Sequence, residues 1–282
     1  MKQPVLLSII ILTLMVSCWV SAGWSEDAAQ TRRPVVITAA GSGVNIGITR
    51  LLAKALMKQN QHVKIDIPGS IGTRGAITAV ADGAIALGLI SRPLKNQEKA
   101  IGIVAHPYAR VAIVIAAHSD VKDDTITSQE LVEIFRGTKT HWQDGETIIV
   151  QAREKSDSGF LVLQNIIPEF KTVYIESSQA KRWTLYFNDQ DANNAISNTP
   201  HAIGVTDLGM IKTEHLNAKA LKLDGIDPNQ ENVISGRYPL SRQLSFIYRP
   251  GTLSDEAKLF LNFITTETGR DILQTNGYIP LL

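Results

Sequence analysis

A chain of 282 residues, 44% of them hydrophobic, holds enough apolar material for one large domain or two of ordinary size, which excludes a disordered chain. Its 28 basic residues stand against 27 acidic ones, a net charge of +1, so the strongly basic balance of a nucleic-acid binder is absent. The single cysteine, Cys18, allows no internal disulfide, and core packing has to hold the fold.

Residues 1–22 read as a signal peptide: Lys2, an apolar run from Val5 to Val16, then small residues. That run spans about 18 Å of helix against a hydrocarbon core of about 30 Å, too short to cross a membrane. Two processing readings stay open. Val20-Ser21-Ala22 fits cleavage after Ala22, and Met15-Val16-Ser17-Cys18 fits a lipid anchor at Cys18.

From Pro34 onward, short β-branched runs alternate with segments of helical period, the pattern of an α/β fold. "VVITAA" predicts a strand, "GSGVN" its turn, and "IGITRLLAKALMKQ" a helix with Ile48, Leu51, Leu52, Ala55 and Leu56 toward the core. "HVKIDIP" predicts the next strand, "GSIGTRGAITAVADG" a glycine-rich turn and a helix ending near Gly83, and "AIALGLIS" a third strand. "RVAIVIAAH" is continuously apolar, as expected of a strand buried on both faces. In "TSQELVEIFRG", Thr127 and Glu130 form a capping box and Gly137 closes the helix. "TIIVQA" then leads into seven polar or small residues, Arg153 to Gly159, before the apolar helical run "FLVLQ".

Further on, the pattern predicts a helix around "SQAKRWTLYF", a helix opened by Asp189 or Asp191, and strands at "AIGVT", "AKALKLDG" and "QLSFIYR". Two helices, around "DEAKLFLNFITT" and "ETGRDILQTNG", end the chain. No long linker separates halves, so two domains would be joined by strands that cross between them.

Three turns occupy equivalent places, each between a strand and a helix: Ala40–Asn45, Gly69–Gly75 and Arg153–Gly159. In open α/β sheets ligands bind beyond the carboxyl ends of the strands. An oxyanion there needs main-chain N–H groups at helix starts, hydroxyls, and a guanidinium offering two parallel donors. Ser42 with Gly43, Gly72 with Thr73, and Arg153 with Ser158 and Gly159 supply that set. Gly, Ser and Thr also populate turns and N-caps for purely structural reasons, and it is their recurrence beside an arginine that points to an anion.

Catalytic signatures are missing. No serine lies in G-x-S-x-G, and neither H-E-x-x-H nor G-x-x-x-x-G-K-[ST] occurs. The six histidines form no ligand pair at helical spacing, so neither a metal site nor a cofactor is expected. "NDQDANN" places oxygens at alternate positions but lacks the glycine and the final glutamate of a calcium loop, and reads as a helix N-cap.

Taken together, these segments resemble the phosphate-binding proteins of ABC transporters, within the two-lobed periplasmic-type superfamily. The more specific pieces are "DGAIALGLISRPL", "ITSQELVEIFRGTKTHW", "GRYPLSRQLSFIYRPG" and "FLNFITTETGRDILQTNGYIPL". The resemblance implies a type II fold, two α/β lobes with crossing hinge strands, lobe 1 holding residues 35–109 and 236–282 and lobe 2 residues 110–235. It also implies an exported monomer that is not an enzyme, delivers phosphate to a membrane permease, and contacts no nucleic acid.

Carried over by position, the family's loops fall on Ala40, Ser42, Gly43 and Val44, on Gly72 and Thr73, on Ser91 and Arg92, and on Arg153, Asp157, Ser158 and Gly159. Two positions depart from the family. Ser91 stands where one branch has an aspartate that accepts the proton of hydrogen phosphate, and Ser156-Asp157-Ser158-Gly159 replaces Gly-Ser-Gly-Thr. A carboxylate beside a dianion is costly unless it meets a proton or a cation, so Asp157 points away, pairs with Lys155 or Arg153, or accepts the ligand's proton. Sulfate, molybdate or tungstate as ligand, a sensor role without transport, and a secreted phosphate-ester hydrolase are the alternatives.

Overall fold

The computed structural model describes residues 34–281; the expected signal peptide and Cys18 lie outside the described residues. The chain runs through β1 (Val35–Gly41), α1 (Gly43–Gln59), β2 (Val63–Asp66), α2 (Gly72–Ala81), β3 (Leu87–Ile90), α3 (Asn96–Lys99) and the long β4 (Val104–His118). Next come β5 (Thr125–Ile126), α4 (Ser128–Arg136), β6 (Ile149–Arg153), α5 (Ser158–Ile166), α6 (Phe170–Gln179), β7 (Thr184–Tyr186), α7 (Asp189–Asn198) and β8 (Ala202–Asp207). It ends with α8 (Leu208–Thr213), β9 (Ala218–Ala220), β10 (Lys222–Leu223), α9 (Gln230–Ile234), β11 (Ser241–Tyr248), α10 (Asp255–Thr265), α11 (Glu267–Thr275) and β12 (Tyr278–Pro280).

One sheet carries the strand order β2-β1-β3-β11-β4-β8-β6-β7, with β12 and β9 also paired to β4. The βα units β1–α1–β2 and β6–α5–α6–β7 make parallel neighbours, whereas β11 and β4 run antiparallel to the strands beside them. β4 is the join. Val104 to Ala112 pair with β11, and Ile113 to Ala117 pair with β8.

The core divides at the same place. Tyr108, Ala109 and Val111 pack with Ile48, Leu52, Phe246 and Phe260 in one cluster. Residues from Ala112 onward pack with Phe135, Phe160, Phe170 and Tyr174 in another. A strand that serves two cores in succession has to be apolar on both faces, which is why "RVAIVIAAH" shows no alternation.

Local signals set most helix ends. Thr127 accepts from the Glu130 N–H while Glu130 reaches back to the Thr127 amide, and Gly137 closes α4 in the left-handed region at φ 81°. Ser254 and Thr266 cap α10 and α11 by accepting from the N–H groups of Ala257 and Gly269.

Four expectations need correction. The helix predicted around "SQAKRWTLYF" stops after its first two residues: α6 ends at Gln179, Lys181 turns at φ 50°, and Thr184–Tyr186 is strand β7. The buried stripe that builds α6 lies upstream at Phe170, Val173, Tyr174 and Ser177, and the β-branched and aromatic TLY run finds a parallel partner in β6. "AKALKLDG" is split: β9 pairs with β4 and β10 with β5. The turn after β1 is shorter than "GSGVN", because Gly43 already opens α1. The seven-residue loop after β6 shrinks to four, since Arg153 ends the strand and Ser158 starts α5.

At Gly41 backbones approach closely. A Cβ there would stand 2.1 Å from the Leu89 carbonyl oxygen, the same oxygen that accepts from the Ser42 N–H at 2.8 Å. Gly41→Ala is therefore expected to cost about 1–3 kcal/mol of stability, readable as a lowered urea midpoint; an unchanged midpoint would refute the close approach.

Candidate anion site

The turns that follow β1, β2 and β6 converge on one cleft of about 590 Å³, with the start of α7 on the same rim. Its floor is a cluster of four hydroxyls. Ser42, the N-cap of α1, donates to Ser91 Oγ at 3.0 Å. Thr73, in the first turn of α2, lies 3.4 Å from Ser91 Oγ, and Ser158, the first residue of α5, lies 3.0 Å from it. Ser91 follows the end of β3, so one serine joins segments from both halves of the sheet. Helix starts leave main-chain N–H groups without intrahelical partners, and α1, α2 and α5 all begin here.

Arg153 closes one side. Its guanidinium is buried, with Nη1 donating to the Tyr186 carbonyl at 2.8 Å and Nη2 lying 3.4 Å from Asp157 Oδ2 and 3.6 Å from Asp189 Oδ1. Nε has no partner among the described residues. Arg153 and the four hydroxyls thus line the same cleft.

Three candidates take other parts. Asp157 caps α5: its Oδ1 accepts from Gly159 N–H at 2.9 Å and Phe160 N–H at 3.0 Å, and its Oδ2 faces Arg153. Of the three options for Asp157, pairing with Arg153 is the one observed, and the Gly159 amide is committed to the cap. Arg92 grips Glu98 through both terminal nitrogens, at 2.7 and 2.8 Å, and so only rims the cleft. That grip holds the Glu98 carboxyl down to about 2.

The remaining candidates contribute backbone or space. Ala40 sits within the β1–β3 ladder and Val44 in the core, so neither side chain faces the cleft. Gly72 opens α2 at φ 70°, its N–H donating to Ser70 Oγ at 3.3 Å. Gly43 makes room at the start of α1, where a Cβ would stand 2.5 Å from Asp189 Oδ2.

Several residues escaped the sequence reading. Arg74 spans the cleft mouth to Ser156 Oγ at 2.9 Å. Asp189 was read only as a helix opener; Asn188 is the cap, which frees the Asp189 carboxylate to face Arg153. Arg242 donates from Nη1 to Ser158 Oγ at 2.6 Å and from Nε to Asp207 Oδ1 at 2.9 Å. The last of these lay in "GRYPLSRQLSFIYRPG", already distinctive as a motif.

Electrostatically the cleft floor is mixed. Burial pushes the Asp189 carboxyl up to about 6, and Asp157 pushes it the same way against the pull of Arg153 and Arg242. Burial likewise lifts Asp207 to about 7 although Arg242 opposes it. Among the described residues no group of histidine, cysteine and carboxylate side chains could hold a metal ion.

The sequence matches the PBP superfamily domain over residues 28–268. The chain belongs to the PBP superfamily. It is 24% identical over 251 residues to the phosphate-binding protein PstS of Bacillus subtilis (strain 168), a match covering 87% of this chain and 80% of that one. The phosphate-binding protein PstS of Borreliella burgdorferi is 23% identical over 234 residues, 80% of this chain and 82% of its own length. In three dimensions it resembles a Clostridium perfringens substrate-binding protein, assigned to a phosphate ABC transporter and crystallised with bound phosphate. That likeness has a TM-score of 0.74 at 24% identity and covers 88% of this chain and all of the other.

The fold is accordingly the two-lobed α/β fold of the PBP superfamily, with β4 carrying the chain from one core to the other. The Bacillus and Borreliella relatives are named as phosphate-binding proteins.

Proposed function

We propose that this chain is an exported solute-binding protein that closes two lobes over inorganic phosphate and presents it to an ABC-type membrane permease. The carrying observation is the convergence of Ser42, Thr73, Ser91 and Ser158 with the buried Arg153 on one cleft. The names of the Bacillus and Borreliella relatives support the same ligand. In this reading lobe 1 comprises residues 35–109 and 236–282 and lobe 2 residues 110–235, joined by β4 and the segment leading into β11. The protein works as a monomer, and residues 1–22 direct its export. Donors from both lobes meet the anion only in the closed state, so ligand binding shifts the population toward the form a permease recognises.

The carboxylates favour phosphate over other oxyanions. Asp157 and Asp189 both face Arg153, and an incoming dianion would be repelled unless a proton lies between it and a carboxyl group. Hydrogen phosphate carries a proton at neutral pH, whereas sulfate, molybdate and tungstate carry none. Isothermal calorimetry and melting curves against the four anions test this. Phosphate should raise the melting temperature and sulfate should not. Equal shifts from both would overturn phosphate selectivity, and no shift from any of the four would overturn the oxyanion reading.

A further inference from the structure

The motif "GRYPLSRQLSFIYRPG" brings a second guanidinium against Ser158, a residue of the cleft lining. Arg242 lies on β11 opposite Val111, and Asp207 ends β8 opposite Ile113, so the two flank β4 from opposite edges and their ion pair reaches across it. They do so where β4 passes from one hydrophobic core to the other. Both side chains are buried. From that position Arg242 Nη1 donates to Ser158 Oγ at 2.6 Å. Gly159 makes the approach possible, because a Cβ there would stand 2.9 Å from Arg242 Nη2.

We infer that Arg242 is a positioning residue for oxyanion capture: it fixes the Ser158 hydroxyl as a donor into the cleft and ties the cleft floor to the crossing strand. The inference rests on the oxyanion reading above. A guanidinium can only donate, so Ser158 Oγ accepts from it and has its own hydrogen to offer. Charge on the donor polarises that hydroxyl, and the neighbouring contact with Ser91 Oγ at 3.0 Å carries the polarity into the hydroxyl cluster. Asp207 holds the guanidinium through Nε at 2.9 Å and prevents it from turning into the cleft. The glycine after Ser158 thus acts by leaving space, its amide being taken by Asp157.

The test uses the whole protein and inorganic phosphate. Removing Arg242 alone would strand a buried carboxylate, so the main variant pairs Arg242→Gln with Asp207→Asn. It should lose about tenfold or more in phosphate affinity while the ligand-free melting temperature stays near that of the parent. Gly159→Ala, which crowds the guanidinium without removing a charge, should lose affinity too. Adding Ser158→Ala to the paired variant should cause no further loss, because both act through one hydroxyl. Arg242→Lys, which keeps the charge but not the two-pronged geometry, should recover only part of the affinity. Parental affinity in the paired variant, or losses that multiply when Ser158→Ala is added, would overturn the inference and leave the oxyanion reading standing. A parent protein that binds no phosphate would overturn both.

Discussion

Replacing Arg153 with methionine is expected to lower phosphate affinity by about a hundredfold or more, the scale set by truncating one member of a buried, hydrogen-bonded charge pair. Two effects act together. The guanidinium is a buried cation lining the same cleft as the hydroxyl cluster, and its removal leaves Asp157 and Asp189 without the cation they share. Charge-assisted hydrogen bonds are the strong ones, and losing them while keeping the like charges turns an attractive site into a repulsive one. The same change also strands buried carboxylates and will lower stability. Arg153→Lys therefore serves as the control that keeps a cation and tests geometry alone. Calorimetry with phosphate on both variants checks the expectation. Near-parental affinity in Arg153→Met, with the fold intact by circular dichroism, would remove Arg153 from the site.

The second large effect is a pH dependence. Asp189 is pushed up to about 6 from an ordinary value of 3.8 by burial and by Asp157, against Arg153 and Arg242, with Glu214 adding a smaller push in the same direction. A carboxyl whose folded value is raised holds its proton more firmly in the folded state than in the unfolded one. Its contribution to stability is therefore best below the unfolded value and declines as pH rises through the window from about 4 to 6. The cost of ionising Asp189 in place is roughly 3 kcal/mol. Asp189→Asn should accordingly be more stable than the parent at pH 7 relative to their difference at pH 4, as urea titrations at both values would show. Asp189 also helps to raise Asp207, so the difference reads Asp189 together with its effect on Asp207.

Binding follows from the same charges. A dianion arriving beside Asp189 raises that carboxyl further, so phosphate binding should take up protons and weaken as pH rises above about 6. Calorimetry in buffers of different ionisation enthalpy measures the uptake. Binding without proton uptake would show that Asp189 stays ionised and that the only proton available between them is the one hydrogen phosphate brings.

Much of this was legible residue by residue. Capping residues announce themselves because the groups they satisfy lie two or three residues away. That is why Thr127, Glu130 and Gly137 delimit α4 as read. The positions of two hydroxyls are legible for a related reason: Ser42 and Thr73 stand at helix starts after strands, which recur at fixed places in an α/β chain. Where two local signals competed, the reading failed. "SQAKRWTLYF" contains good helix formers, yet the preceding stripe of Phe170, Val173, Tyr174 and Ser177 took the helix, and β6 recruited the rest as a strand.

The roles of the charged residues were legible least. Asp157 offered three options from sequence, and only the meeting of its carboxylate with the Gly159 and Phe160 amides and with Arg153 selected one. Gly159 looked like an anion donor and proves to be a space-maker for Arg242, 83 positions away in a different element.

By itself the sequence determined the alternation of strands and helices, the capping box that starts α4, the buried character of β4, and an expectation of an anion cleft. Those are short-range matters, governed by periodicity and by hydrogen bonds between near neighbours. Tertiary structure alone decided which polar groups meet: Arg153 with Asp189, Arg242 with Asp207 and Ser158, and three hydroxyls around Ser91. Electrostatic pairing depends on distance through space, and distance through space between residues fifty or eighty positions apart is set by how β4 and β11 cross between two cores, which no local window of residues encodes.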